Sequence, residues 1–163
     1  MTYRVEDVYD SMASAVTGYF VARGARDPDD LCGDVFERVA ARLDRFRGDD
    51  AALRRWVFTI AHNRLVDDHR SAARRREQSL TPVSDRSDPV DSSAAGGIDV
   101  ELVEALALLT PEQREVLVLR YVADLSVRDV AEIVGKRQGA VKMLQARGLD
   151  ELRTLLGDSS PSS

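Results

Sequence analysis

Three groups of side chains in this 163-residue chain are of types that could do chemistry. Arg137, Gln138, Lys142 and Arg147 recur at short intervals near the end, just after Gly135. They could pair with phosphate or reach a base edge. Arginine dominates the stretch from Arg38 to Arg76, with 11 basic against 5 acidic residues. His62, Asp67, Asp68 and His69 lie close in sequence and are metal-ligand types. On a helix, however, His62 stands six and seven residues from Asp68 and His69, Asp67 faces elsewhere, and the chain has no third His. No metal and no cofactor are therefore expected. Cys32 lacks a paired thiol and a nearby His, which favours a buried structural role over a nucleophile or redox switch.

The balance of charge frames these groups. The net charge is −5, yet it averages over opposed segments. Met1 to Glu37 holds 8 acidic and 3 basic residues, and Lys136 to Arg153 holds 5 basic and 2 acidic. Basic segments in an acidic chain can bind phosphate locally while the remainder discourages indiscriminate binding. A single Cys excludes an internal disulfide and points to a reducing, cytoplasmic setting. The longest apolar run, Ala105 to Leu109, is far short of a membrane helix, and the first residues lack signal-peptide order. No membrane insertion is expected.

The elements that must position these groups read as helices. Val5, Val8, Tyr9, Met12, Val16, Tyr19 and Phe20 step by three and four. Asp27-Pro28-Asp29-Asp30 supplies an N-cap, a proline at the first helical position and acids in the first turn. Leu31, Val35, Val39 and Leu43 follow on one face. After a loop over Arg45–Asp50, a third helix from about Ala51 to Arg76 turns Leu53, Trp56, Val57, Ile60, Ala61 and Leu65 inward. Glu77 to Gly97 then holds five Ser, two Pro and two Gly with few large apolar side chains. Such a segment buries too little to offset its ordering entropy and reads as a flexible linker.

Beyond it, Val100, Val103, Leu106 and Leu109 make a short amphipathic helix. Thr110-Pro111-Glu112-Gln113 matches a capping box opening a helix that runs to about Ala123. Ser126-Val127-Arg128-Asp129, an acidic variant of the box, opens another, which Gly135 ends at C′. A longer helix spans about Gln138 to Leu155. A short helix, a tight glycine turn and a second helix with basic residues near its start describe a helix-turn-helix, in which the first helix braces the second in the major groove. The expectation is an all-α chain of two small helical domains joined by a flexible linker: 1–76, linker 77–98, 99–156, and a frayed tail 157–163.

Four ordered motifs carry a resemblance. They are Asp29-Asp30-Leu31-Cys32-Gly33-Asp34-Val35-Phe36; Leu43-Asp44-Arg45-Phe46-Arg47-Gly48-Asp49 continuing to Trp56-Val57-Phe58-Thr59-Ile60-Ala61-His62-Asn63-Arg64; Leu109-Thr110-Pro111-Glu112-Gln113-Arg114; and Leu125 to Gly135 followed by Gly139-Ala140-Val141-Lys142. The chain resembles the extracytoplasmic-function sigma factors, the two-domain group of the bacterial sigma-seventy family. The resemblance implies a region 2 of three to four helices in 1–76 and a region 4 helix-turn-helix in 99–156. It implies core RNA polymerase, promoter DNA and an anti-sigma factor as partners, with RNA synthesis left to polymerase and no catalytic residues in this chain.

Residue by residue, the resemblance assigns the minus-ten element to Phe46, Arg47, Asn63, Arg64, Arg70, Arg74, Arg75 and Arg76. Asn63 offers a donor and an acceptor for a base edge, and the Phe46 ring can wall a pocket or stack on a base. Simple core filling is the alternative for Phe46, and Trp56 is either core or duplex-edge contact. Asp30, Leu31, Asp34 and Phe36 would face polymerase. Arg137, Gln138, Ala140, Lys142, Met143, Ala146 and Arg147 would read the minus-thirty-five element. Some positions depart from the family pattern. Gly33 stands where glutamine is common, Lys136 where the turn is usually apolar, and Arg137 where serine usually caps. Leu144 and Gln145 replace the arginine and isoleucine of many members, and Gly148 costs helix propensity unless a close contact requires it. The rival reading is a stand-alone helix-turn-helix regulator whose first half senses or dimerises.

Overall fold

The computed structural model describes residues 2–78 and 97–157, and every regular element among them is a helix. In the first half, α1 spans Val5–Ala22, α2 Pro28–Arg42 and α3 Asp50–Gln78, with a single 3-10 turn at Leu43–Arg45 between α2 and α3. In the second half, α4 spans Val100–Ala107, α5 Pro111–Leu117, α6 Val127–Val134 and α7 Gln138–Gly157. Residues 79–96 of the expected linker and 158–163 of the expected tail lie outside the described residues. Residues 77 and 78 extend α3, and residue 157 closes α7.

The first core forms where α2 packs on α1 and α3. Val16, Tyr19, Phe20, Val35, Val39, Val57 and Phe58 are completely buried there, and Tyr19 meets Phe20 and Phe58 edge-on. Tyr9, read as inward from its spacing, is instead 49% exposed and leans edge-on against Phe36. Asp27 occupies the N-cap position of α2, but its side chain makes no capping bond; its carbonyl accepts from the Leu31 N–H at 3.0 Å.

The caps of the second half follow the local chemistry closely. Thr110 and Gln113 close the box in both directions, at 3.2 and 3.4 Å. Ser126 accepts from the Asp129 N–H at 3.1 Å. Gly135 takes the left-handed C′ conformation at φ 69°, and the following Lys136 N–H donates to Ala131 O. The helix after Thr110 departs from the sequence expectation. It is α-helical only to Leu117 and continues as a π-helical turn over Val118–Val122, with the Ala123 N–H donating to Val118 O. Val116, Leu117, Val118 and Leu119 are each 2% exposed or less. Four successive residues sweep most of a helix circumference, so this segment must be covered on every side. α7 covers one side, and α1 of the first half packs on the π turn from another. Mid-helix Gly148 permits the first contact, because a Cβ there would lie 2.8 Å from Leu117 Cδ1.

The two halves thus share one continuous core and meet along a seam where α1 touches α4 and the π turn, and α3 touches α6.

Candidate nucleic-acid interface

The loop ahead of α3 is built around Phe46. Gly48 has φ 153°, and a Cβ on it would lie 2.9 Å from Ala52 Cβ and 3.0 Å from Phe46 Cζ. Only glycine fits there without displacing the ring. Asp49 then starts α3, its carboxylate accepting from the Ala52 N–H at 2.9 Å. The half-buried Phe46 ring stacks on Trp56, with centroids 5.1 Å apart and planes at 21°, and meets Tyr3 edge-on at 6.0 Å. Tyr3 closes the brace by donating its hydroxyl to Asp50 Oδ1 at 2.7 Å. Trp56, left between core and edge by the sequence, is half-buried and carries the loop.

From Trp56 the helix carries a stripe. Seven residues advance about 10.5 Å and return to within roughly 20° of the same face. Asn63 and Arg70 therefore follow Trp56 at successive steps, and Arg74 returns to the Trp56 meridian. Asn63, Arg70 and Arg74 are exposed. Arg75 and Arg76 fall well off this stripe, and Arg75 donates to Ser71 O at 3.4 Å. Two further expected DNA contacts are occupied by protein groups. Arg47 Nη1 folds back on Asp44 O and Phe46 O at 3.0 and 2.9 Å. Arg64 reaches Asp34 Oδ2 through Nε and Nη2 at 3.1 and 3.0 Å.

That last pair joins two surfaces the sequence kept apart, since Asp34 was assigned to polymerase. Of the other residues assigned there, Asp30 is exposed, while Leu31 and Phe36 are only 3% and 6% exposed and belong to the core. The exposed aromatic on this face is Tyr9, missed because its spacing matches the inward set. Tyr3 was missed because it precedes the first periodic stretch.

In the second half, Val130, Ala131 and Val141 pin α7 on α6. Arg137, Gln138, Ala140, Lys142, Met143, Ala146 and Arg147 all stand exposed on α7 and the turn before it. Gln145, one of the departures, is explained by a partner: its Oε1 accepts from Arg120 Nε at 2.8 Å, which anchors α7 to the π turn. Lys136 pairs with Glu112 at 3.5 Å. α7 thus turns a polar, partly basic face outward, a shape that a duplex groove can accept.

The remaining chemistry-bearing residues are absorbed elsewhere. His62 Nδ1 lies 3.0 Å from Glu115 Oε1 across the seam, and burial holds its pKa below the ordinary histidine value. Burial raises the Cys32 thiol, which lies 3.8 Å from Ala13 O. Among the described residues no helix is long and apolar enough to cross a membrane.

Comparison with known proteins identifies the two halves. Residues 5–75 match the family model described as Sigma-70 region 2, and residues 105–154 match Sigma-70, region 4. RNA polymerase sigma factor CarQ of Myxococcus xanthus is 32% identical over 161 residues, covering 94% of this chain and 89% of CarQ. ECF RNA polymerase sigma factor BldN of Streptomyces coelicolor is 31% identical over 159 residues, covering 94% of this chain. The chain belongs to the extracytoplasmic-function RNA polymerase sigma factors. This sigma factor spans 60% of the length of BldN. Its fold matches a co-crystal structure of sigma factor RpoE with anti-sigma factor NepR from Bartonella quintana, at a TM-score of 0.74 and 22% identity over 95% of this chain and 98% of that one. The braced loop and the α3 stripe lie within region 2, and the α7 face lies within region 4. A stand-alone regulator with a sensory first half is not favoured, because the first half is itself region 2.

Proposed function

We propose that this chain binds core RNA polymerase, directs it to promoters and helps open the DNA, with RNA synthesis left to the polymerase and no catalytic residue of its own. Region 2, residues 1–76, takes the minus-ten element; region 4, residues 99–156, takes the minus-thirty-five element; residues 77–98 join them. The observation that carries this reading is the pairing of two unlike exposed faces on one chain. Opening DNA requires capture of an unpaired base, because unstacking it costs a few kcal/mol. The Phe46–Trp56 brace offers a fixed aromatic wall, and Asn63 on the same stripe offers a donor and acceptor for a base edge. One stacked base and one bidentate amide contribute roughly 1–3 kcal/mol each, enough to offset that cost. Arg70 and Arg74 continue the stripe toward the backbone. The α7 face suits duplex DNA, with Arg137 and Gln138 near base edges and Lys142 and Arg147 at phosphates.

The polymerase face is Asp30, Asp34 and Tyr9, acids beside an exposed aromatic, which suits a basic partner. By analogy with the Bartonella complex we include an anti-sigma factor among the partners, and a cytoplasmic setting follows from the polymerase. Run-off transcription tests the reading. Core polymerase given genomic fragments should gain new discrete start sites when this protein is added, and their upstream sequences should share two spaced elements. No new starts, with polymerase active on another sigma factor, would overturn it.

A further inference from the structure

Tyr3 stands ahead of α1, where no local cap fixes it. Arg4 holds the N-cap position in extended backbone and makes no side-chain capping bond. The contacts that place the Tyr3 ring are with the loop ahead of α3. Its hydroxyl donates to Asp50 Oδ1 at 2.7 Å and lies 3.5 Å from Gly48 O, and its ring meets Phe46 at 61°. The ring also lines an open cleft of about 490 Å³ between the starts of α1 and α3, together with Val8, Met12 and Leu53. Arg54, on the same cleft, is committed to Ala123 O across the seam. With open space on that side, dispersion holds the ring weakly, and the bond to a carboxylate is its strongest single tie.

Phe46 needs such a restraint. Trp56 covers one of its faces, at 5.1 Å and 21°. A stack fixes the separation of two rings better than their offset. Tyr3 adds a second direction of contact, and Asp50 ties that contact to the helix on which Trp56 and Asn63 stand. We infer that Tyr3 is a positioning residue for capture of the unpaired minus-ten base, a role that rests on the base-capture reading proposed above. Tied to Asp50, it holds the Phe46 ring where the base stacks. The ring of Tyr3 positions Phe46, and its hydroxyl positions the ring. A wall already in place spares the complex the cost of ordering it. The gain therefore appears as affinity for a strand that carries the captured base, and for no other.

The test uses the full chain with core polymerase and a single-stranded oligonucleotide of the non-template minus-ten segment. The oligonucleotide is intact or has one base removed, at each position in turn. Wild type should lose affinity when the captured base is removed. Tyr3→Ala should bind the intact strand roughly three- to tenfold more weakly, the size of one aromatic pair. It should bind the strand lacking that base as well as wild type does. Tyr3→Phe and Asp50→Ala should each lose about two- to threefold on the intact strand, and the double variant no more than either, because both break one bond. Asp50→Asn keeps an acceptor and should stay near wild type. Affinity for polymerase should not change. In the free chain the emission of Trp56, the one tryptophan, should shift in Tyr3→Ala. Tyr3→Ala weakened equally on both strands, Tyr3→Ala as tight as wild type on the intact strand, or losses in Tyr3→Phe and Asp50→Ala that add in the double variant would each overturn the inference. A wild type indifferent to the loss of every base would instead overturn the base-capture reading on which the role depends.

Discussion

The two candidate reading faces are built on opposite plans. In region 2 the candidate contacts are largely engaged by the protein itself. Phe46 is stacked on Trp56, Arg47 is folded onto its own loop, and Arg64 is held by Asp34. In region 4 the candidate contacts stand free on α7, and the fixing is done from behind by Val130, Val141 and the Arg120–Gln145 bond. The difference follows the substrates proposed for each. A duplex presents a rigid groove, so the reader needs a stiff helix and mobile tips. An unpaired base is flexible, so its receptor must hold the shape itself or lose the ordering entropy twice.

The sharpest way to break this contrast is Asn63→Ala. Asn63 is exposed, so its loss should leave the melting temperature and polymerase affinity unchanged, while transcription falls about 10- to 100-fold from a lost base contact of roughly 1–3 kcal/mol. Equal loss of polymerase binding, in a binding assay with core enzyme, would place Asn63 on the wrong surface. Next is Gly48→Ala. The positive φ and the close Ala52 and Phe46 atoms should cost about 1–3 kcal/mol and shift the ring off Trp56. Denaturant unfolding should record the cost, and tryptophan fluorescence should change as the stack loosens. Open-complex formation, followed by permanganate reactivity, should fall with it. A variant that keeps its stack yet loses opening would mean the brace is incidental. In region 4, Lys142→Ala should act in the opposite style. It should weaken the upstream footprint several-fold whatever the sequence and lower the salt slope by about one, with no change in stability. An unchanged footprint across a salt titration would remove α7 as the reader.

How far the sequence carries these points depends on the range of the interaction. Local signals survive intact: the Thr110–Gln113 box, the Ser126 cap, the Gly135 terminus and the apolar steps of α2 are each set by residues within a turn or two. Long-range pairings leave no periodic trace. Nothing in the spacing of Asp34 and Arg64, thirty residues apart, shows that they neutralise each other. Tyr9 and Phe36 lie on adjoining helices, and only packing decides that the phenylalanine goes in and the tyrosine stays out. The run Val116 to Leu119 does signal complete burial, but not that part of its cover comes from a helix nearly a hundred residues earlier. The seam was illegible for the same reason, since a guanidinium on a backbone carbonyl looks in sequence like any surface arginine.

The smallest expected effect links the two plans through the residue beside Asn63. His62 faces Glu115 from α5 and Tyr19 and Arg23 from the end of α1. Burial lowers its pKa most, Arg23 lowers it further, and Glu115 opposes them without prevailing. The folded chain therefore binds fewer protons at His62 than the unfolded chain, where the ring is solvated near its ordinary value of about 6.5. The stability this contributes is fully present above that value and is lost as the pH falls through it toward the lowered value of the folded form. Thermal melting of the wild-type chain should show a lower midpoint at pH 5.5 than at 7.5. His69 is also lowered, by burial first and then by Arg23, and acts in the same sense, so His62→Gln should reduce the change without abolishing it. Only the seam is expected to feel this proton, because the α7 face carries no histidine. A footprint of region 4 alone that moved with pH over the same range would break the comparison. A midpoint that fell equally in wild type and variant would show that His62 is a bystander to the ties around Glu115.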